Sequence, residues 1–250
     1  MAVDEAILEA HRQGMSSPTL RLYAFEPAAI SFGQNQKISE EIIRRAQDRC
    51  FDIVRRPTGG RAVLHANELT YSFVASGEYG GLSPSVSGAY KEICRGLQSA
   101  FELLGVPLEL GGSNVAYKQF QDCFHATTNS DLHVGGKKMI GSAQLRRRDA
   151  VLQHGSILLS QEQTLMAEIL GEEVAPDVVR HANFYEVAGR VVPTNELEAA
   201  MKSGFESAFG VTLIEGVLSE VELNLVQQLV GAYQCVTPGS AGVLPALTKL

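Results

Sequence analysis

Four stretches of this chain carry side chains whose types and spacing suit chemistry. The first is Arg55-Arg56-Pro57-Thr58-Gly59-Gly60-Arg61-Ala62-Val63-Leu64-His65. An arginine pair ends one strand pattern, Pro57 presets a turn, and Gly59 and Gly60 permit positive φ and close backbone approach. Such a turn can offer N–H groups to an oxyanion, a carboxylate or a phosphate. The pattern by itself also fits a hairpin with surface arginines. The second stretch is Gly135-Gly136-Lys137-Lys138-Met139-Ile140-Gly141-Ser142-Ala143-Gln144. A lysine just past a glycine bend can bind a carbonyl oxygen or a carboxylate, and the small residues Gly141, Ser142 and Ala143 leave room for a ligand. An exposed Lys-Lys hairpin is the plainer alternative.

The third stretch, Gln153-His154-Gly155-Ser156, puts a histidine on a strand as a hydrogen-bonding group or as a satisfied structural one. The fourth, Asp122-Cys123-Phe124-His125, sets one cysteine in a polar loop. Most cysteines are packing residues, yet this polar setting is unlike a core, and a nearby lysine or histidine would raise the thiolate fraction.

Elements of both kinds are needed to position these groups. Helical spacing covers residues 3–13, 86–104, 161–170, 194–209 and 219–230, and a shorter helix opens at Ser39 as N-cap and runs to about 49. Strand patterns cover 20–25, 29–32, 51–55, 61–64, 70–75, 151–159 and 211–214, and 131–148 reads as a hairpin bent at Gly-Gly-Lys. Strands mixed with helices without regular alternation predict an α+β fold, its sheet mixed and largely antiparallel, flanked by helices. The length of 250 residues fits a single domain over 1–235, with 236–250 a loose turn-rich tail.

Composition narrows the function. A hydrophobic fraction of 45% supports a sizeable core, and a net charge of −7 gives no general attraction to nucleic acid or to acidic membranes. No apolar run approaches the roughly 20 residues of a membrane helix. The opening Met-Ala-Val-Asp-Glu has no basic region of a signal peptide. Cys50, Cys94, Cys123 and Cys235 form no C-x-x-C pair, which argues against a zinc site or disulfide scaffold and for reduced thiols in a cytoplasmic enzyme. Signatures of P-loop, Rossmann, zinc-protease and α/β-hydrolase chemistry are missing.

Taken together, R-R-P-T-G-G-R-A-V-L-H, E-L-T-Y-S, C-F, G-K-K-M-I-G-S-A-Q and L-Q-H-G-S-I-L-L resemble, in order and spacing, the biotin/lipoate protein ligase superfamily. The likeness is greatest to its cysteine-dependent octanoyltransferase branch. The resemblance implies the ligase catalytic-domain fold, with Cys123 as nucleophile and Lys138 contacting the acyl carbonyl. It implies an acyl pocket walled by Arg55, Gly59, Gly60, Ala62 and His65 and lined by Gly141, Ala143 and His154. It further implies an octanoyl-acyl carrier protein as donor, a lipoyl-domain protein such as the glycine cleavage H protein as acceptor, and neither metal nor ATP. Arg61 stands where ligases often carry a third glycine, which favours the transferase. Other members carry a strand ahead of the first helix, so either this sequence starts late or one sheet edge lacks that strand. Three rivals share the fold: an ATP-dependent lipoate–protein ligase, an amidotransferase moving octanoyl from the H protein, and a non-catalytic acyl-binding protein. The run Arg146-Arg147-Arg148 reads either as a basic patch for an acidic carrier or as a solvated strand end.

Overall fold

The computed structural model describes residues 1–77, 82–111, 131–160, 164–172 and 181–233. Cys123 and the tail from 236 lie outside them.

Two sheets face each other across the site. The larger has six strands in the order β1-β5-β9-β8-β7-β6, all pairs antiparallel. These are β1 (Thr19–Tyr23), β5 (Glu68–Ser76), β6 (Glu109–Leu110), β7 (Leu132–Val134), β8 (Lys137–Arg147) and β9 (Ala150–Leu158). The smaller has the order β3-β2-β4, built from β2 (Ala29–Phe32), β3 (Asp52–Arg55) and β4 (Val63–His65). β2 and β3 run parallel because α2 (Glu40–Gln47) crosses between them. Ser39 caps α2, its Oγ accepting from the Ile42 N–H at 3.3 Å.

Strand alternation decides which side chains meet. Along β5, Leu69, Tyr71 and Phe73 enter the main core beneath α3 (Val86–Leu103) and α6 (Thr194–Phe209). The residues between them, Thr70, Ser72 and Val74, point to the opposite face. At one end of that face α1 (Ala2–Arg12) and α7 (Glu220–Tyr233) cover Val74, Ala150 and Leu152. At the other end the small sheet takes their place, with Val63 packed on Leu158. The small sheet alternates too. Ile30, Phe32 and Leu64 enter its own core with α2 and α4 (Thr164–Leu170), which leaves Ser31 and His65 for the cleft.

α3 and α6 cross at backbone contact. A Cβ on Gly204 would stand 2.4 Å from the Ala100 nitrogen, and one on Gly96 would stand 3.0 Å from the Phe205 ring. Most predicted elements are present within a few residues. The strand expected at 211–214 is not. There the Val211 N–H returns to the Glu206 carbonyl and the Leu213 N–H bonds the Glu206 carboxylate, so the backbone donors serve the end of α6 rather than a neighbouring strand. A short helix, α5 (Phe184–Ala188), was not expected. Asn183 and Glu186 close a capping box at its start, but five residues are too few to show a helical period.

Candidate active site

A cleft lies between the two sheets and encloses about 580 Å³ of empty space, its mouth included. The six-stranded sheet supplies its floor: Thr70 from β5, Gly141 and Ala143 from β8, His154 and Ser156 from β9. These are cross-strand neighbours, since Gly141 pairs with Ser156 and Ala143 with His154. The small sheet and its loop supply the roof through Ser31, Arg56, Gly60, Arg61, Val63 and His65.

Lys138 stands at one end of the cleft and is 2% exposed, while its neighbour Lys137 is exposed. The hairpin bend uses Gly135 and Gly136 at φ +55° and +76°, so Lys138 falls one step inside the strand. Its Nζ meets Asp131 Oδ1 at 3.0 Å, and its carbonyl accepts from the Ala182 N–H at 2.9 Å. The chain thus presents a cation in a mostly apolar cleft, with a carboxylate beside it and small side chains alongside.

The arginine pair has another role. Arg55 Nη1 donates to the carbonyls of Gly33, Gln34 and Gln36 at 2.8–3.0 Å. Arg56 is 4% exposed and uses all five of its N–H groups on its own loop and on the neighbouring strand β2. Nη1 bonds Ser31 O and Oγ, Nε bonds Gly59 O, and Nη2 bonds Gly59 O and Arg61 O. These guanidiniums shape the loop. Gly60, at φ +90°, carries it past Gly33, where a Cβ would lie 2.0 Å from the Gly60 oxygen.

The structure brings Gly60, His65, Lys138, Gly141, Ala143 and His154 to one cleft. The other three expected wall residues are placed differently. Arg55 braces the 33–36 turn, Gly59 accepts from Arg56, and Ala62 is fully buried in the core of the small sheet. The reason is again alternation: Ala62 and Leu64 face that core while Arg61, Val63 and His65 face the cleft. Two of the three residues in the basic run are tied to the protein itself, Arg147 to Glu5 and Arg146 to the Ser83 carbonyl.

Both cleft histidines are held at each nitrogen. His154 Nε2 meets Thr58 Oγ1 at 2.7 Å, and its Nδ1 faces Asp4 Oδ2 at 3.4 Å. His65 Nε2 meets Ser31 Oγ at 2.8 Å, and its Nδ1 faces Thr70 Oγ1 at 3.3 Å and Glu68 Oε1 at 3.5 Å. Burial pushes the His154 pKa down, and the hydrogen bond to Asp4 opposes that. Burial would raise the Asp4 carboxyl, but the chain's first ammonium, Arg21 and His154 outweigh it and hold it far below the usual range. Carboxylate, histidine and hydroxyl in a row suggest a nucleophile triad. The Ser31 oxygen, however, accepts from Arg56 and is 1% exposed, which suits a wall and not an attacking group. Cys94 is an inert thiol on the core-facing side of α3, pushed up to about 12 by burial.

Asp4, Ser31, Thr58, Glu68, Asp131 and Ser156 were not singled out from sequence. For Glu68, Thr70 and Ser72 a signal existed, a polar period of two along an otherwise apolar strand. For Asp4, 150 positions from His154, there was none.

The mixed α+β fold, with its large antiparallel sheet and flanking helices, is shared with solved lipoate-protein ligases. The crystal structure of lipoate-protein ligase A bound with ATP matches it at TM-score 0.77 and 24% identity, over 92% of this chain and 87% of that one. The chain belongs to the lipoyl protein ligase A/B catalytic domain family, whose model matches residues 1–206. It is 38% identical over 248 residues to the octanoyltransferase LipM of Kyrpidia tusciae, covering 93% of this chain and 90% of that protein. It is likewise 38% identical over 246 residues to the octanoyltransferase LipM of Brevibacillus brevis, covering 92% and 89%. The protein is an acyltransferase.

Proposed function

We propose that this acyltransferase serves protein lipoylation by moving an octanoyl group from an acyl carrier protein to a lysine of a lipoyl domain, through a thioester on Cys123. The observation that carries the proposal is the buried Lys138–Asp131 pair at the end of a cleft lined by small residues. Its relatives' name, octanoyltransferase, supplies the acyl group. In the first step the Cys123 thiolate attacks the donor's thioester carbonyl and the donor thiol leaves with a proton. In the second, the acceptor's lysine amine attacks the acyl-cysteine, the amide forms, the amine loses a proton, and the Cys123 thiolate is released. Lys138 donates to the carbonyl oxygen as negative charge develops on it. Thioester exchange is nearly isoenergetic and amide formation from a thioester is downhill, so the reaction needs no ATP and no metal. Each CH₂ of the chain contributes about 0.8 kcal/mol when buried, so an eight-carbon group gains roughly 5 kcal/mol and cleft depth selects length.

The proposal is tested by incubating the enzyme with octanoyl-acyl carrier protein and the glycine cleavage H protein without nucleotide. Octanoylated H protein is the expected product, and Cys123→Ser abolishes it. Modification of the acceptor by free octanoate or lipoate with ATP, unaffected by Cys123→Ser, would make the enzyme a ligase instead. A product seen when octanoyl-H protein is the donor and a different lipoyl domain the acceptor would make it an amidotransferase. Octanoate binding with no turnover on any donor would leave an acyl-binding protein.

A further inference from the structure

Glu68 is buried at 4% exposure on β5 and faces the cleft side of the sheet. Its carboxylate accepts from Thr70 Oγ1 at 2.8 and 2.9 Å and from Ser156 Oγ at 2.7 Å, and His65 Nδ1 lies 3.5 Å from it. The tautomer of His65 follows from counting hydrogens. Thr70 has one hydroxyl hydrogen and gives it to Glu68, so toward Nδ1 it presents a lone pair. Glu68 presents lone pairs as well. Both neighbours of Nδ1 are acceptors, so Nδ1 carries a hydrogen. With one hydrogen on the ring, Nε2 accepts, and Ser31 Oγ at 2.8 Å is its donor. Having given its hydrogen to the ring, Ser31 uses a lone pair for Arg56 Nη1 at 3.2 Å. Every hydrogen in the row Arg56–Ser31–His65–Glu68 therefore points from the guanidinium toward the carboxylate. Phe25 stacks on one face of the His65 ring with centroids 4.1 Å apart.

The row joins the two sheets across the cleft, with Glu68 on the floor and Ser31, His65 and Arg56 in the roof. Arg56 in turn holds the carbonyls of Gly59 and Arg61. We propose that Glu68 is a positioning residue of the acyl cleft: its carboxylate fixes His65 with the hydrogen on Nδ1, and through Ser31 and Arg56 this sets the Gly59–Gly60–Arg61 roof over the acyl group. The inference rests on the cleft being the acyl site.

The test uses the full chain with ¹⁵N-labelled histidine, assigning His65 by comparison with His65→Gln. In the wild type, Nδ1 has the shift of a protonated ring nitrogen and Nε2 that of an unprotonated one. In Glu68→Gln the side-chain amide can donate to Nδ1, so the hydrogen moves to Nε2. KM for the octanoyl donor then rises about tenfold with kcat within about twofold, as expected when the carboxylate that orients the ring is lost and binding is misshaped. Glu68→Asp keeps a carboxylate, retains the Nδ1 hydrogen and recovers part of the lost KM. A wild-type His65 with its hydrogen on Nε2 overturns the inference, even if Glu68→Gln does not fold. So does an unmoved hydrogen or an unmoved KM in a folded Glu68→Gln. A wild type that takes no octanoyl donor at all refutes the acyl reading of the cleft, while the tautomer measurement still reports on Glu68 itself.

Discussion

The chemistry of this chain turns on a few buried charges. Lys138 and Asp131 are each about 97% or more buried and 3.0 Å apart. Removing one member of such a pair strands the other, at about 3–5 kcal/mol. Asp131→Asn should therefore lower the free energy of unfolding by that amount, read as a lower denaturant midpoint in equilibrium unfolding. Lys138→Met fills similar volume without charge and should reduce acyl transfer by about a hundredfold or more, the loss of an oxyanion donor. The histidines give stability a pH dependence. Burial lowers the folded-state pKa of His154 and also of His133 below the ordinary value of 6.5. The unfolded chain then binds more protons than the folded one below pH 6.5, so stability falls on acidification. Each group contributes at most about 1.4 kcal/mol per pH unit. Asp4, whose folded pKa lies below 3.8, adds a further loss as pH falls past that value. Melting curves between pH 7 and pH 5 should show the first loss, and His154→Gln should flatten it relative to wild type. At this scale sequence was a partial guide. Lys138 and His154 stood out because glycines and small residues lie beside them, and His65 because its segment resembles the family's pocket loop. Their partners Glu68, Asp4 and Asp131 did not, because a carboxylate takes its role from what the fold brings near it.

Among the elements, local signals served best where one element was long enough to repeat its own pattern. α6 matches the expected span at both ends, with Gly210 closing it in the left-handed region at φ +63°. β8 and β9 were visible as a hairpin and a following strand, and their register gives the floor of the cleft. What could not be read was how close elements approach. Gly204 and Gly96 are where α3 and α6 touch, and nothing in their own helical stretches announces the partner. Gly204→Ala puts a methyl against the Ala100 backbone and should cost about 1–3 kcal/mol of stability by thermal unfolding, with KM for the octanoyl donor unchanged. Ala143 on β8 is the reverse case, a position where bulk enters the cleft. Ala143→Leu should shift acyl preference toward shorter chains, read as the ratio of hexanoyl to octanoyl transfer. Each lost CH₂ contact is worth about 0.8 kcal/mol, or roughly fourfold in that ratio.

For the whole molecule, the motif order along the chain already gave the family, since five separate segments matched in order and spacing. The arrangement of two sheets around one cleft was not legible from any one of them. It depends on strand pairs such as β5 with β9, which lie about eighty positions apart in sequence, and on a helix, α1, that reaches back to His154 through Asp4. The same geometry explains why the Arg55-Arg56 pair, whose pattern also fitted surface arginines on a hairpin, is an internal brace. Its donors are spent on carbonyls of turns that close only when the small sheet forms. No helix among the described residues is long and apolar enough to cross a membrane. The central claim is that an acyl group rides on the chain as a thioester at Cys123. Intact mass spectrometry after mixing the enzyme with octanoyl-acyl carrier protein, followed by peptide mapping, tests it directly. The account predicts one octanoyl adduct, mapped to Cys123, cleaved by hydroxylamine and missing in Cys123→Ser. An unmodified wild-type enzyme that still octanoylates its acceptor, or an adduct mapped to another residue, would contradict it.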